Sequence, residues 1–136
     1  MLGKREPHIY GSTTLAEVAE ICIAAGARQG LEVEFLQSNY EGEIVEWIQT
    51  AIDTCDAIVI NAGAFTHTSI AIHDALGLVA CPVIEVHLSN IFARERFRAR
   101  SYVAPVATGS ISGLGATGYE LAIEAIAALS AAGDGS

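Results

Sequence analysis

Residues 83–90 read Val83-Ile84-Glu85-Val86-His87-Leu88-Ser89-Asn90, an apolar strand pattern that runs directly into polar side chains. A second apolar run, 57–60, ends in the same way, because Asn61 follows it and the polar stretch 66–69 comes soon after. Short continuous apolar runs are typical of strands buried in a parallel sheet. Ligands of open α/β sheets bind beyond the carboxyl ends of the strands. The two polar strand ends therefore predict one shared pocket.

Helical patterns precede and separate these strands. Thr14 and Glu17 have the spacing of a capping box, which predicts a helix that ends near Gly26 or Gly30. Apolar stripes at helical spacing predict further helices after Gly42, from about 69 to 78, and in the last part of the chain.

Two further segments complete the predicted order of elements. Residues 31–36 alternate apolar and polar side chains, which predicts a half-buried or edge strand, and 101–112 predicts an irregular link into a last short strand. Strands that alternate with helices predict an α/β fold with a doubly wound parallel sheet. At 136 residues, the chain is expected to be a single domain, 1–136, with a core of its own.

The composition is more apolar than a small monomer needs. Hydrophobic residues make up 51% of the chain and the mean hydropathy is +0.41, and we interpret the excess as subunit interface. No apolar run approaches the ~18 residues of a membrane span, and no signal sequence is recognised, so a cytoplasmic protein is expected. The odd count of three cysteines, without metal-like spacing, predicts buried reduced thiols, with redox or metal chemistry as the alternative.

The charge distribution suggests a small anionic ligand. A net charge of −9 argues against nucleic acid and against an anionic membrane surface. Four of the seven Lys and Arg residues lie in 94–100, directly after the strand at 83–88. Such focused positive charge suits a small anionic substrate. The alternative is a solvated helical turn whose arginines pair with the many carboxylates.

The run Gly113-Leu-Gly115-Ala-Thr-Gly118 matches the dinucleotide-binding fingerprint between a strand and a helix. The match is weak, because this is the last unit of the chain and no later strand supplies the ribose-binding carboxylate. We therefore predict a tight turn with close helix packing, and keep a flavodoxin-like nucleotide or flavin-binding module as the alternative function.

His87 and Glu85 are candidate catalytic residues. They stand two apart on one predicted strand, hence on one face, and a carboxylate placed so can orient an imidazole. The alternative for His87, and for His67, is a structural histidine. Tyr10 would ordinarily be a packing residue in a loop that holds Gly and Pro.

Several motifs in order along the chain resemble type II 3-dehydroquinate dehydratase. They are Gly3-Lys-Arg5-Glu-Pro7-His-Ile-Tyr10-Gly11, Gln37-Ser-Asn39, Asn61-Ala-Gly-Ala-Phe-Thr-His67-Thr-Ser69, Ile84-Glu-Val-His87-Leu-Ser-Asn90, Arg94-Glu-Arg-Phe-Arg98 and Ser101-Tyr. The resemblance implies a flavodoxin-like domain, a homo-oligomer that is a dodecamer of trimers, no cofactor, and a lyase of the shikimate pathway or of quinate breakdown. The substrate it implies is the small anion 3-dehydroquinate, which the enzyme dehydrates to 3-dehydroshikimate by trans elimination through an enolate.

The resemblance also implies a role for individual residues. Tyr10 in the catalytic loop 1–11 is the base, Arg5 and Arg94 favour its phenolate, and His87, oriented by Glu85, is the acid. The residues implied to bind substrate are Asn61, His67, Asp74, Leu88, Ser89 and Arg98, of which Asp74 acts across a subunit contact and Arg98 lies in the arginine-rich segment 91–101. The rival imine chemistry is disfavoured, because Lys4 is the one lysine of the chain and lies in a polar opening segment.

The chain departs from the family pattern before Met1. The family has a strand there that leads into a Gly-Pro-Asn-Leu-Asn segment, and the helix that begins near Thr14 likewise requires a preceding strand that these residues do not supply. We therefore expect a sheet without the first strand of the family. A further alternative follows, which is an inactive, truncated assembly subunit.

Overall fold

A computed structural model of the chain describes residues 14–88 and 101–134. Helices and strands follow one another in a simple order. They are α1 (Leu15–Arg28), α2 (Glu41–Thr54), β1 (Ile58–Ile60), a first 3₁₀ turn (Gly63–His67), α3 (Ile70–Gly77), β2 (Val83–His87), a second 3₁₀ turn (Ala104–Val106), β3 (Gly109–Ser112) and α4 (Thr117–Asp134).

The strands form a parallel sheet in the order β1-β2-β3. Strands β1 and β2 pair from Ile58 opposite Val83 to Ile60 opposite Glu85. The next strand joins through Thr108, whose hydroxyl accepts the Val83 N–H at 3.0 Å and whose own N–H donates to the Val83 carbonyl at 2.6 Å. The α/β class and the strands predicted at both polar strand ends are confirmed.

Local capping explains where two helices begin. The Thr14 hydroxyl accepts the Glu17 N–H at 3.1 Å and starts α1, and the Ser69 hydroxyl accepts the Ile72 N–H at 3.0 Å and starts α3. Such caps satisfy N–H groups that have no partner inside the helix. Helix α1 then ends at Arg28, between the two glycines that the pattern indicated.

The chain divides into two compact units, each made of separate segments. The first contains, among the described residues, 14–35, 86–88 and 111–134, and in it α1 packs against α4. Its buried apolar side chains come from both helices and from the end of β2. They are Val18, Cys22, Ala25, Val86, Leu88, Tyr119, Ala122, Ile123 and Ile126.

The second unit contains residues 36–85 and 101–110 of the described chain. Helix α2 packs against α3, and the side chains between them form a hydrophobic core with β1, β2 and residues near the second 3₁₀ turn. The buried members of this core are Ile48, Ile60, Ala62, Ile72, Ala75, Leu76, Val83 and Val103.

Two expectations are wrong in the described residues. Residues 31–36 do not form a strand, although their side chains alternate between half-buried and exposed, because no neighbouring strand within 14–88 or 101–134 pairs with them. The Leu31 N–H instead donates to the Gly26 carbonyl at 2.8 Å, beyond the end of α1. The cysteines are free thiols, but Cys55 is exposed at the end of α2, so only Cys22 is fully buried.

Large apolar side chains remain exposed on several elements. Tyr40 is 75% exposed, Leu78 71% and Ile70 60%.

Across the two described ranges, no helix combines the length and the apolar character that crossing a bilayer requires.

Candidate active site

Asn61 and His67 follow β1 and are both half-buried. The Asn61 side-chain oxygen accepts the Gly63 N–H at 3.0 Å, which folds the chain back into the first 3₁₀ turn. This is the local bond that makes asparagine common in turns. His67 is the last residue of that turn. Because Ile60 is paired with Glu85, Asn61 lies one residue beyond the position opposite the buried carboxylate.

Glu85 is the most unusual residue of β2. Its side chain is only 1% exposed, in a strand whose five residues are all buried. Burying a carboxylate is costly unless it is hydrogen-bonded. The Ser101 hydroxyl donates to Glu85 Oε2 at 2.7 Å, which is the length of a strong hydrogen bond to a carboxylate. The second unit therefore holds a buried acidic group with a defined donor.

The dipeptide Ser101-Tyr102 itself makes four further contacts. The Ser101 hydroxyl accepts the N–H groups of Val103 at 3.1 Å and of Ala104 at 2.9 Å. The Tyr102 N–H donates to the Thr66 carbonyl at 2.7 Å, and Nδ1 of His73 lies 3.3 Å from the Tyr102 carbonyl oxygen. The first 3₁₀ turn, α3 and β2 thus all contact this dipeptide.

The hydroxyl of Thr66 stands apart from this network. Thr66 has no exposed surface, and within the described residues its Oγ1 has no hydrogen-bond partner. A buried hydroxyl without a partner costs about 1–3 kcal/mol. The first 3₁₀ turn therefore carries a polar atom that the fold alone does not satisfy.

In the first unit, the glycine run surrounds the end of β2. The Gly113 N–H donates to the His87 carbonyl at 3.2 Å and the Gly115 N–H to the Leu88 carbonyl at 2.9 Å. Both glycines have positive φ, 85° and 59°, which suits residues without a side chain. A Cβ on Gly118 would lie 3.3 Å from Val86 Cγ1. The prediction of a tight turn with close helix packing is confirmed.

These bonds bear on the nucleotide-binding alternative. Phosphate binding by a glycine run requires free backbone N–H groups at a helix N-terminus. Here the N–H groups of Gly113, Gly115, Gly118 and Tyr119 all donate to carbonyls of the chain itself. The N–H groups of the run are therefore bonded to carbonyls at the end of β2 and before α4.

The remaining predicted residues divide into those that the structure describes and those that it does not. His87, the last residue of β2, is 5% exposed, and the Leu88 side chain is buried as well. Asp74 is exposed on α3. Arg5, Tyr10, Ser89, Arg94 and Arg98 lie outside the described residues.

Sequence reasoning assigned no role to Ser101 or to Thr66. Ser101 lies three residues before the pair Ala104-Pro105, and serine before a proline turn is a local signal for a side-chain cap. That signal could have predicted the bonds to Val103 and Ala104. It could not have predicted the bond to Glu85, which lies 16 residues away in the chain.

Two cysteines have raised pKa values. Burial raises the pKa of the Cys22 thiol to about 11, with a smaller contribution from the carboxylate of Glu120. Burial also raises the pKa of Cys81. Both shifts keep these thiols protonated, and protonated thiols are poor nucleophiles.

Helices arranged with a parallel sheet define an α/β protein, a class in which ligands bind beyond the carboxyl ends of the strands. The family model described as dehydroquinase class II matches residues 1–127. The chain belongs to the class II dehydroquinase family.

Individual relatives agree with this assignment. The chain is 61% identical to the 3-dehydroquinate dehydratase of Mesorhizobium japonicum over 128 residues. This match covers 93% of this chain and 89% of the relative. The crystal structure of type II dehydroquinase from Propionibacterium acnes matches with a TM-score of 0.90 at 48% identity, over 93% of this chain and 88% of that one. The corresponding structure from Butyrivibrio crossotus matches with a TM-score of 0.89 at 44% identity, over 92% and 88%.

Proposed function

We propose that the chain is a 3-dehydroquinate dehydratase, a lyase that converts 3-dehydroquinate to 3-dehydroshikimate and water. The observation that carries the proposal is the 61% identity, over nearly the whole chain, to a protein of that name. The reaction belongs to the shikimate pathway, which leads to the aromatic amino acids, or to quinate breakdown. We expect the enzyme in the cytoplasm.

The elimination proceeds in two steps. Tyr10 removes a proton from C2 of the substrate, next to the C3 ketone, and the electrons of that C–H bond form an enolate. The enolate then expels the C1 hydroxyl, which takes a proton from His87 and leaves as water. A free tyrosine has a pKa of ~10, so Arg5 and Arg94 serve to favour the phenolate.

Glu85 orients His87 in this scheme. Both residues belong to β2 and are two positions apart, hence on one side of the strand, and both are buried. A buried carboxylate that fixes the tautomer of a catalytic imidazole is a common arrangement. The bond from Ser101 supports this role, because it holds the carboxylate in one place.

The proposed substrate-binding residues come from several segments of the chain. Asn61 and His67 follow β1, Leu88 and Ser89 follow β2, and Arg98 supplies positive charge to the substrate carboxylate. Because the Leu88 side chain is buried, its contact with substrate is through the backbone. The proposed elimination needs no metal ion and no cofactor.

The homo-oligomer, proposed as a dodecamer of trimers, is supported by the exposed apolar side chains. Tyr40, Leu78 and Ile70 are each at least 60% exposed, and burial in an interface would remove that surface from water. Asp74 is exposed on α3, which suits a contact with the site of a neighbouring subunit. Light scattering coupled to size exclusion measures the mass directly, and a stable monomer would contradict this proposal.

The function is tested by adding 3-dehydroquinate to the purified chain and following the ultraviolet absorbance of the conjugated enone product. We expect enone to form without added metal or cofactor. A second sample receives borohydride with the substrate, followed by intact mass measurement. The enolate route predicts no adduct, whereas an imine route predicts covalent modification of Lys4. Absence of enone would favour the inactive assembly subunit, and bound flavin in the visible spectrum would favour the binding module.

Two variants separate the proposed roles. Tyr10→Phe removes the phenol hydroxyl and should lower kcat by at least ~10², with little change in substrate binding. Arg98→Ala should mainly raise KM. Near-normal turnover in the first variant would remove Tyr10 from the mechanism, and an unchanged KM in the second would remove Arg98 from the substrate contacts.

A further inference from the structure

Ser101 uses its whole hydrogen-bonding capacity within the second unit. A serine hydroxyl has one proton to donate and two lone pairs that accept. The N–H groups of Val103 and Ala104 occupy the acceptor side, at 3.1 Å and 2.9 Å. The proton is therefore left for one acceptor, Glu85 Oε2 at 2.7 Å. Rotation of the hydroxyl away from Glu85 would sacrifice the two bonds it accepts or strain them.

The N–H groups of Val103 and Ala104, which donate to the Ser101 hydroxyl, also make that hydroxyl a better donor to Glu85. Hydrogen bonds in a chain polarise one another, most strongly where the surroundings are apolar. Glu85, at 1% exposure, is shielded from water. The bond from Ser101 therefore fixes the position of Oε2.

The position of Ser101 is itself fixed by its neighbour. Tyr102 bonds through its N–H to the first 3₁₀ turn and lies against His73 of α3 through its carbonyl. Ser101 and Tyr102 thus connect the first 3₁₀ turn and α3 to the carboxylate of Glu85 on β2. A serine that only capped the second 3₁₀ turn would need neither the bond to Glu85 nor this anchoring.

We propose that Ser101 is a positioning residue for proton transfer, acting through Glu85. The inference rests on the proposed function, in which Glu85 orients His87 as the acid that protonates the departing C1 hydroxyl. Without the Ser101 hydroxyl, the buried carboxylate has one fewer donor and more freedom, so the imidazole is held less firmly. The effect should appear in kcat, and KM should change little.

The experiment compares Ser101→Ala with Ser101→Thr and with a matched control. Thr108→Val removes a different hydroxyl bonded to the same strand, at Val83, without touching Glu85. We expect Ser101→Ala to lower kcat by roughly 10-fold or more, as loss of a hydrogen bond to a charged group does. We expect KM to stay within about 2-fold of the wild-type value. Ser101→Thr keeps a hydroxyl and should restore most of kcat, and Thr108→Val should leave kcat near that of the wild type.

A double-mutant cycle with Glu85→Gln shows whether Ser101 acts through Glu85. If it does, removing the Ser101 hydroxyl in the Glu85→Gln background should cost no more than about 3-fold, because the two losses are not independent. An equal fold loss in both backgrounds would overturn the proposal, as would a Ser101→Ala enzyme with the kcat of the wild type. Should Ser101→Ala not fold, Ser101→Cys retains a weak donor, and wild-type kcat in that variant would overturn it equally.

The wild-type chain is assayed first, so that the two failures can be told apart. A wild type that forms no enone contradicts the proposed function, and the role of Ser101 falls with it. An active wild type with an unaffected Ser101→Ala variant contradicts only the role of Ser101.

Discussion

Gly118→Val tests whether a glycine at this position allows α4 to pack closely against Val86, the residue before His87. Gly118 is the second residue of α4, and a Cβ there would lie 3.3 Å from Val86 Cγ1 and 3.4 Å from Ile111 Cγ2. Val86 has no exposed surface, so its side chain has little room to withdraw. It also directly precedes His87 in β2, so pressure on Val86 acts on the strand end that carries the proposed acid.

The magnitude follows from overpacking. Extra methyl groups in a packed core cost about 1–3 kcal/mol, whereas the better helix propensity of valine returns only a few tenths of a kcal/mol. In a protein of this size, each kcal/mol shifts the melting temperature by about 4 °C, so we expect a fall of about 4–12 °C. Gly42→Val is the matched control, because Gly42 is the second residue of α2 and a Cβ there meets nothing within 4 Å.

The assay is thermal unfolding of both variants together with kcat for enone formation. We expect Gly42→Val to melt within about 2 °C of the wild type and to keep its kcat. Gly118→Val should melt well below both and turn over more slowly. If Gly118→Val melts as high as Gly42→Val, the close packing of α4 against Val86 and Ile111 is wrong.

Three further predictions concern the thiols of Cys22 and Cys55 and the buried hydroxyl of Thr66. With an aromatic disulfide reagent near neutral pH, Cys55 should react first, and Cys22 only after unfolding; fast reaction of Cys22 in the folded protein would contradict its burial. Because the folded pKa of Cys22 is raised from 9.0 to about 11, the stability it contributes is present below pH 9 and lost as the pH rises towards 11. Urea unfolding should therefore show a loss of about 2–3 kcal/mol over that range that Cys22→Val lacks, and parallel curves would refute it. Thr66→Val should leave the free energy of unfolding unchanged or raise it by up to about 1 kcal/mol, and a clear decrease would show that the hydroxyl has a partner.

Much of the fold could be predicted from the sequence because its signals are local. The caps of α1 and α3 and the apolar runs that became β1 and β2 act over a few residues, so their positions follow from spacing. The failure at 31–36 has a physical cause. Alternating side chains specify which faces are buried, but a strand also needs a neighbour to complete its hydrogen bonds, and within the described residues no strand pairs with 31–36.

The candidate site was less accessible to sequence reasoning. The polar strand ends indicated Asn61 and His87 from position alone, whereas the roles of Tyr10, Arg5 and Arg94 came from family resemblance and stay predictions. Ser101 was missed because its bond to Glu85 joins residues distant in the chain. The burial of Cys55 was misjudged for a similar reason, since the exposure of a helix end depends on what packs over it.

In the proposed dehydration, base and acid act on opposite faces of the substrate ring. It is tested most directly with 3-dehydroquinate carrying one deuterium at C2, on the face opposite the C1 hydroxyl, and mass measurement of the 3-dehydroshikimate formed by the purified chain. Trans elimination predicts a product that has lost the deuterium, together with a slower reaction if proton removal limits the rate. A product that keeps the deuterium would contradict trans elimination, and no product at all would contradict the proposed function.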